Sequence, residues 1–228
     1  MRIVVVLVAS LLVAGCSLVG GRSAQSTSSA RPSTSAKGAT AAPPTAKPPI
    51  RSTAPQPGTP ISDVIAWIEA AEPADADRYH SATRDGATTD LGQDIAFTAP
   101  DHNVRCITDS KHTGATLSCL VRLTNPPPPP TAVYGEWHGG WVDFDGTSVQ
   151  VGSAHGDPGP FINGDGPELP SGKSLAFDDF RCRTDQTGMF CVNYAHRSAV
   201  RLAAAGIEPF GCLQPVPPPE GVGEKFSC

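Results

Sequence analysis

The sequence predicts a mainly β fold: a single disulfide-stapled antiparallel β domain, sandwich or open barrel, with a short N-terminal helix packed on it. Three observations point there. From residue 91 onward, short alternating apolar segments are separated by Gly, Pro and Asx turns. Six cysteines remain after Cys16, an even number suited to a disulfide framework. Upstream of both lies one amphipathic stretch with helical spacing.

The chain opens with Met1-Arg2, an apolar run from Ile3 to Ala14, and then Gly15-Cys16. Twelve apolar residues are too few to cross ~30 Å of hydrocarbon as a helix. Residues 1–15 therefore read as a signal peptide. The small residues before Cys16 resemble a bacterial lipobox, which implies lipidation of Cys16 with palmitate-type chains. The expected address is extracytoplasmic, on the outer face of the cell membrane, with the membrane itself as a partner.

Residues 16–60 form the tether. Beyond Cys16 it is Ser, Thr, Ala, Pro and Gly with few large apolar side chains. Such a segment buries too little surface to offset its ordering entropy, so disorder is expected. Its mean reach is roughly 35–40 Å. It carries Arg22, Arg31, Lys37, Lys47 and Arg51 and no acid. The chain has 17 Lys+Arg and 22 Asp+Glu; setting aside Arg2 and those five leaves 11 against 22. An acidic body excludes nucleic acid as a partner, because phosphate binding needs clustered Lys and Arg.

The body, residues 61–228, has the length of one domain. Thr59 is placed to cap a helix with Pro60 at its first position, and Ile61, Val64, Ile65 and Ile68 form its stripe. Pro73 limits it, and Trp67 is expected to pack on the domain. Strands are expected at 94–97, 104–107 and 117–123. Pro126 to Pro130 reads as a rigid polyproline connector, and Ala132-Val133-Tyr134 as the resumption of the sheet. Trp141–Phe144 and Thr147–Val151 flank Asp145-Gly146, which predicts a hairpin. Residues 152–174 are expected to be loop, with strands again at 175–182 and 189–194. Residues 197–205 suit either a short helix or an irregular strand.

Cys106 and Cys119 flank a polar turn, as do Cys182 and Cys191. Each pair reads as neighbouring strands within bridging distance. Cys212 and Cys228 then remain to pair. No C-x-x-C or H-x-x-x-H spacing supports zinc. Ile95-Ala96-Phe97 before Cys106 and Leu175-Ala176-Phe177 before Cys182 suggest a duplicated hairpin.

Phe97-Thr98-Ala99-Pro100, Leu169-Pro170-Ser171-Gly172-Lys173-Ser174-Leu175, Phe180-Arg181-Cys182 and Thr187-Gly188-Met189-Phe190-Cys191 resemble a domain family of actinobacterial secreted and lipid-anchored proteins. Mycobacterial envelope lipoproteins are among its members. The resemblance covers most of residues 91–228, with Ala99-Pro100 where the family has Ser-Pro. It implies an extracytoplasmic location and disulfides, and no known reaction.

Gly166 to Ser174 ends in Gly-Lys-Ser but has the wrong glycine spacing and two prolines, so it is not a phosphate loop. Gly152-Ser153-Ala154-His155-Gly156 is not a nucleophile elbow. Asp143, Asp145, Asp157, Asn163, Asp165 and Glu168 are oxygen ligands in Gly-rich turns without EF-hand order, which Asx turns account for. No catalytic residue, metal ligand or cofactor is therefore assigned. The candidate ligand surface is Glu136, Trp137 and Trp141, where aromatic faces neighbour a carboxylate. Two functions fit: a non-catalytic binding or scaffolding module for an envelope glycan, lipid or protein, or an extracytoplasmic hydrolase of glycan or lipid.

Overall fold

A computed structural model describes residues 53–131 and 133–228. Cys16, the signal peptide and most of the tether lie outside them. In chain order the elements are helix α1 (Ile61–Glu69), β1 (Glu72–Pro73), a 3-10 turn (Ala76–Tyr79), β2 (Ser81–Arg84), β3 (Ala87–Asp90), β4 (Ala96–Thr98), β5 (Val104–Thr108), β6 (Leu117–Val121), β7 (Glu136–Phe144) and β8 (Ser148–His155). A second 3-10 turn (Gly159–Asn163) follows, then β9 (Lys173–Phe177), β10 (Phe180–Asp185), β11 (Gly188–Asn193), β12 (Ser198–Ala203), β13 (Gly206–Phe210), β14 (Gln214–Val216) and β15 (Val222–Ser227). No helix among the described residues is long and apolar enough to cross a membrane.

Two sheets face each other. One runs β1-β9-β10-β11-β12-β13 and the other β14-β15-β8-β7-β6-β5-β4. Neighbours are antiparallel except the two-residue pair β1–β9. Alternation sends Val104, Cys106, Leu117, Cys119, Val142 and Phe144 from one sheet, and Leu175, Cys182, Cys191 and Val200 from the other, into one core. Phe144 meets Phe180 edge-on at 5.5 Å, and Cys106 Sγ lies 3.6 Å from Met189 Sδ across the gap. The fold is thus an open sandwich.

All three cysteine pairs are bridged as the sequence suggested. Cys106 stands directly opposite Cys119, and Cys182 opposite Cys191, so each inner disulfide staples one hairpin. The duplication is one of topology: each sheet holds a three-stranded meander with its staple between the second and third strands. The registers differ. Phe97 faces Cys106, whereas Leu175, two residues before Phe177, faces Cys182.

Edges are blunted by chemistry. Pro73 in β1, Pro209 in β13 and Pro215 in β14 withhold amide donors from three of the four outer strands. The fourth, β4, is covered by residues 166–169: Thr98 N donates to Pro167 O, Leu169 N to Thr98 O, and Thr98 Oγ1 to Gly166 O.

Helix α1 lies on the outer face of the six-stranded sheet. Val64, Trp67 and Ile68 pack there with Phe190, Val192, Ala199 and Phe210. Trp67 meets Phe190 edge-on at 4.8 Å. Arg183 stacks over the Trp67 ring at 3.6 Å and donates to the Trp67 carbonyl, satisfying an acceptor at the helix C-terminus. Thr59 does not cap the helix. Pro60 occupies the cap position, and Thr59 Oγ1 instead accepts from Gln56 N. The folded body also reaches upstream of residue 61, since Pro55 is buried and Ala54 packs beside the helix.

Several segments differ from their sequence reading. Residues 198–203 form a regular strand. The 175–182 stretch folds into two strands at Asp178-Asp179, where Asp178 takes φ 43°. Residues 133–135 are irregular, and Tyr134 is 96 % exposed. The β7–β8 turn centres on Gly146-Thr147, because the Asp145 carboxylate accepts from Thr147 N and Ser148 N. Beyond Phe210 the Pro-rich tail adds β14 and β15, with β15 paired to β8.

Candidate functional site

The outer face of the seven-stranded sheet carries the most elaborate surface. On β5, β6 and β7 the register aligns Arg105, Leu120 and Trp141 in one row, all pointing away from the disulfide core. Next to it runs Ile107, Ser118 and Asp143. Ser118 Oγ donates to Asp143 Oδ1 at 2.6 Å, and Trp141 Nε1 donates to the same carboxylate at 3.0 Å. The indole is therefore fixed by its own strand.

Trp141 is also covered. Its ring stacks on His155 from β8, meets Phe161 edge-on at 5.0 Å, and is 4 % exposed. Phe161 comes from the second 3-10 turn, which the β2–β3 hairpin holds in place. Thr83 and Asp165 exchange both backbone hydrogen bonds, and Arg84 Nη1 donates to Ile162 O. Asp165 in turn accepts from Arg105 Nη1 at 2.7 Å.

Two adjoining depressions open above this row. The first, about 450 Å³, is lined by Thr98, His102, Arg105, Arg122, His138 and Asp165 among others. The second, about 460 Å³, is lined by Arg84, Arg105, His138, Trp141, Phe161 and Asp165 among others. Arg105, Leu120, His138 and Asp165 belong to both, so the two form one groove. A kink in β7 shapes its wall. Between His138 and Val142 three residues of β7 oppose the single Gly152 of β8, a bulge that re-aims His138.

The groove offers guanidinium and imidazole donors beside an apolar wall. Its two hydroxyls are engaged: Thr98 Oγ1 donates to Gly166 O, and Thr83 Oγ1 lies 3.0 Å from Thr88 Oγ1. Burial holds the His155 imidazole below its ordinary pKa; the Asp143 charge opposes this and His138 adds to it. Among the described residues no three His, Cys, Asp or Glu side chains gather as a metal site. Asp145 and Asp157 close local turns, accepting from Thr147 N and Gly159 N.

The structure separates the residues singled out from sequence. Trp141 lines the groove by its edge, with one face against His155. Trp137 lies elsewhere: its Nε1 donates to Pro127 O, and its ring occupies the space a Cβ on Gly152 would need, 2.6 Å away. It clamps the polyproline connector onto the sheet. Glu136 is exposed at the start of β7, opposite His155 in register. Arg105, Arg122, His102 and His138 escaped the sequence reading because they come from three segments that the sheet register unites, and Asp165 was read only as a turn carboxylate. The Gly-Lys-Ser segment is no anion loop. Lys173 begins strand β9 and pairs with Glu72, and Leu169 is fully buried.

No family profile, curated protein or solved structure matches this chain.

Proposed function

We propose that the protein is an envelope lipoprotein, tethered outside the membrane through Cys16, whose body is a non-catalytic binding module with its ligand in the groove over Arg105, Leu120 and Trp141. The observation that carries this reading is the row itself. It sets a cation, an aliphatic side chain and an aromatic edge side by side under about 450 and 460 Å³ of open depression. Sites for small ligands combine an apolar lining with a few convergent polar groups, as here. The lipobox-like leader and the three disulfides support the extracytoplasmic address.

The test uses the purified intact protein, titrated with envelope glycan fragments, short-chain lipids and a generic ester. The expected result is saturable binding without turnover, with amide shifts at 102–105, 120–122 and 138–141. Turnover abolished by Asp165→Asn, or binding that maps away from these residues, overturns the reading.

A further inference from the structure

We infer that the groove recognises a carboxylate or phosphate group, received between Arg122 and Arg105, on a small molecule whose apolar or sugar face lies against Leu120 and Phe161. This rests on the binding-module reading above and adds the ligand's chemical class.

Charge is the first observation. The body carries 11 Lys+Arg against 22 Asp+Glu once Arg2 and the five tether cations are set aside from 17. The groove inverts that balance. Arg84, Arg105 and Arg122 line it with His102 and His138, against two acids, Asp85 and Asp165. Each acid already has a partner: Asp85 lies 3.6 Å from Arg84, and Asp165 is 2.7 Å from Arg105. Arg122 remains. Among the described residues its guanidinium has no ion pair or hydrogen bond, although the surrounding domain is rich in carboxylates.

Geometry is the second. Leu120 stands directly opposite Arg105, and Arg122, two residues on, donates its backbone amide to Asn103 O. Arg122 and Arg105 are therefore diagonal neighbours on one sheet face, roughly 7–8 Å apart at their Cα atoms. Two guanidinium forks at that spacing can share the oxygens of one carboxylate or phosphate. Asp165 takes only Nη1 of Arg105, so it holds that side chain in place while its other N–H groups stay free to donate. His102, set at φ 54° in the β4–β5 turn, adds a ring at the rim. Leu120, opposite Arg105, and Phe161, 5.9 Å from the Arg105 guanidinium, line the same groove, where a ring or acyl segment finds apolar contact.

The experiment is calorimetric titration of the intact protein, with amide shifts followed in parallel, using methyl glucoside, glucuronate, glucose 6-phosphate, inorganic phosphate and monomeric dihexanoylphosphatidylglycerol. The anionic probes are expected to bind at least about tenfold more tightly than methyl glucoside, and more weakly as salt rises. Arg122→Gln should cost a similar factor for the anions and leave the unfolding midpoint unchanged, since the side chain is exposed and unpaired. Arg122→Lys should restore part of the loss. Tighter binding of phosphatidylglycerol assigns a lipid headgroup, and tighter binding of a sugar acid or sugar phosphate assigns a saccharide; both support the inference. Equal binding of neutral and anionic probes, or no effect of Arg122→Gln, overturns it while leaving the binding module intact. Failure of every probe to move the groove amides overturns both.

Discussion

The Trp141 indole lies nearly parallel to the His155 imidazole, with ring centroids 3.6 Å apart and planes 27° from parallel. This stack supports the floor of the groove. Among the described residues His155 Nε2 is buried without a hydrogen-bond partner, and burial lowers the pKa from the ordinary 6.5.

The linkage gives a direction. A histidine whose folded pKa is depressed contributes stability that is full above the unfolded value, about 6.5, and is lost as pH falls toward the folded value. The protein should therefore unfold at lower urea as pH drops from 7.5 toward 5. His155→Phe, which keeps a ring on Trp141, should flatten that slope. Asp145 does not confuse the measurement. Burial raises its pKa, but four hydrogen bonds from Thr147 and Ser148 outweigh this and lower it, so its contribution is lost only below about 3.8. An unchanged slope in His155→Phe would remove His155 as the source.

Gly166 lies tight against the backbone of β4. A Cβ there would stand 2.0 Å from the carbonyl carbon of Ala96, which is backbone and cannot swing aside. Gly166→Ala should push residues 166–169 off the β4 edge and destabilise by about 1–3 kcal/mol. Gly156→Ala, with open space around its Cβ position, is the matched control and should be near neutral. Equal unfolding midpoints for the two variants would mean that the edge cover is not tightly held.

These contacts mark what the sequence could and could not reveal. The disulfide partners were legible because each inner pair flanks a short polar turn, so local strand pairing brings the cysteines together. The α1 stripe was legible from its spacing. The β2–β3 hairpin was legible in principle but went unread: Asp85-Gly86, at φ 52° and 81°, is as plain a turn signal as Asp145-Gly146. The C-terminal strands were hidden by the prolines that protect an edge strand from further pairing. The groove was not legible, because Arg105, Leu120 and His138 meet only through the register of three strands and a bulge. Trp137 and Trp141 looked like one surface by proximity in sequence, yet the bulge between them sends the first to the polyproline clamp and the second to the groove.

The disulfides should not contribute equally. The Cys182–Cys191 and Cys212–Cys228 bridges close loops of 9 and 16 residues, each worth about 3 kcal/mol on a chain-entropy argument. Cys182 and Cys191 are also fully buried in the core, whereas Cys212 and Cys228 are exposed. Replacing the inner pair by alanine adds the loss of packed sulfur to the loss of the cross-link. Cys182→Ala/Cys191→Ala should therefore lower the urea midpoint more than Cys212→Ala/Cys228→Ala. Peptide mapping without reductant should recover all three pairs in the parent protein. A Cys106–Cys182 peptide would contradict the sandwich, since it would join the two sheets instead of stapling each.

The proposed anchoring of the groove at a membrane rests on Cys16. On the proposed reading, an anchored body would work close to the lipid surface rather than in free solution. The tether is cationic and the body acidic, so an anionic surface attracts the first and repels the second. Two acyl chains on Cys16 would provide the dual attachment that stable anchoring requires, whereas a single chain binds only marginally. Cys16→Ala should remove the acyl mass, leave the leader uncleaved or miscleaved, and release no normally processed membrane form. Its disulfides and thermal unfolding should match those of the parent, because residue 16 lies 38 positions before Ala54, the first packed side chain among the described residues. Mass spectrometry of the membrane fraction reads the outcome directly. An unmodified Cys16 in a mature, membrane-associated chain would show that some other feature holds the protein there.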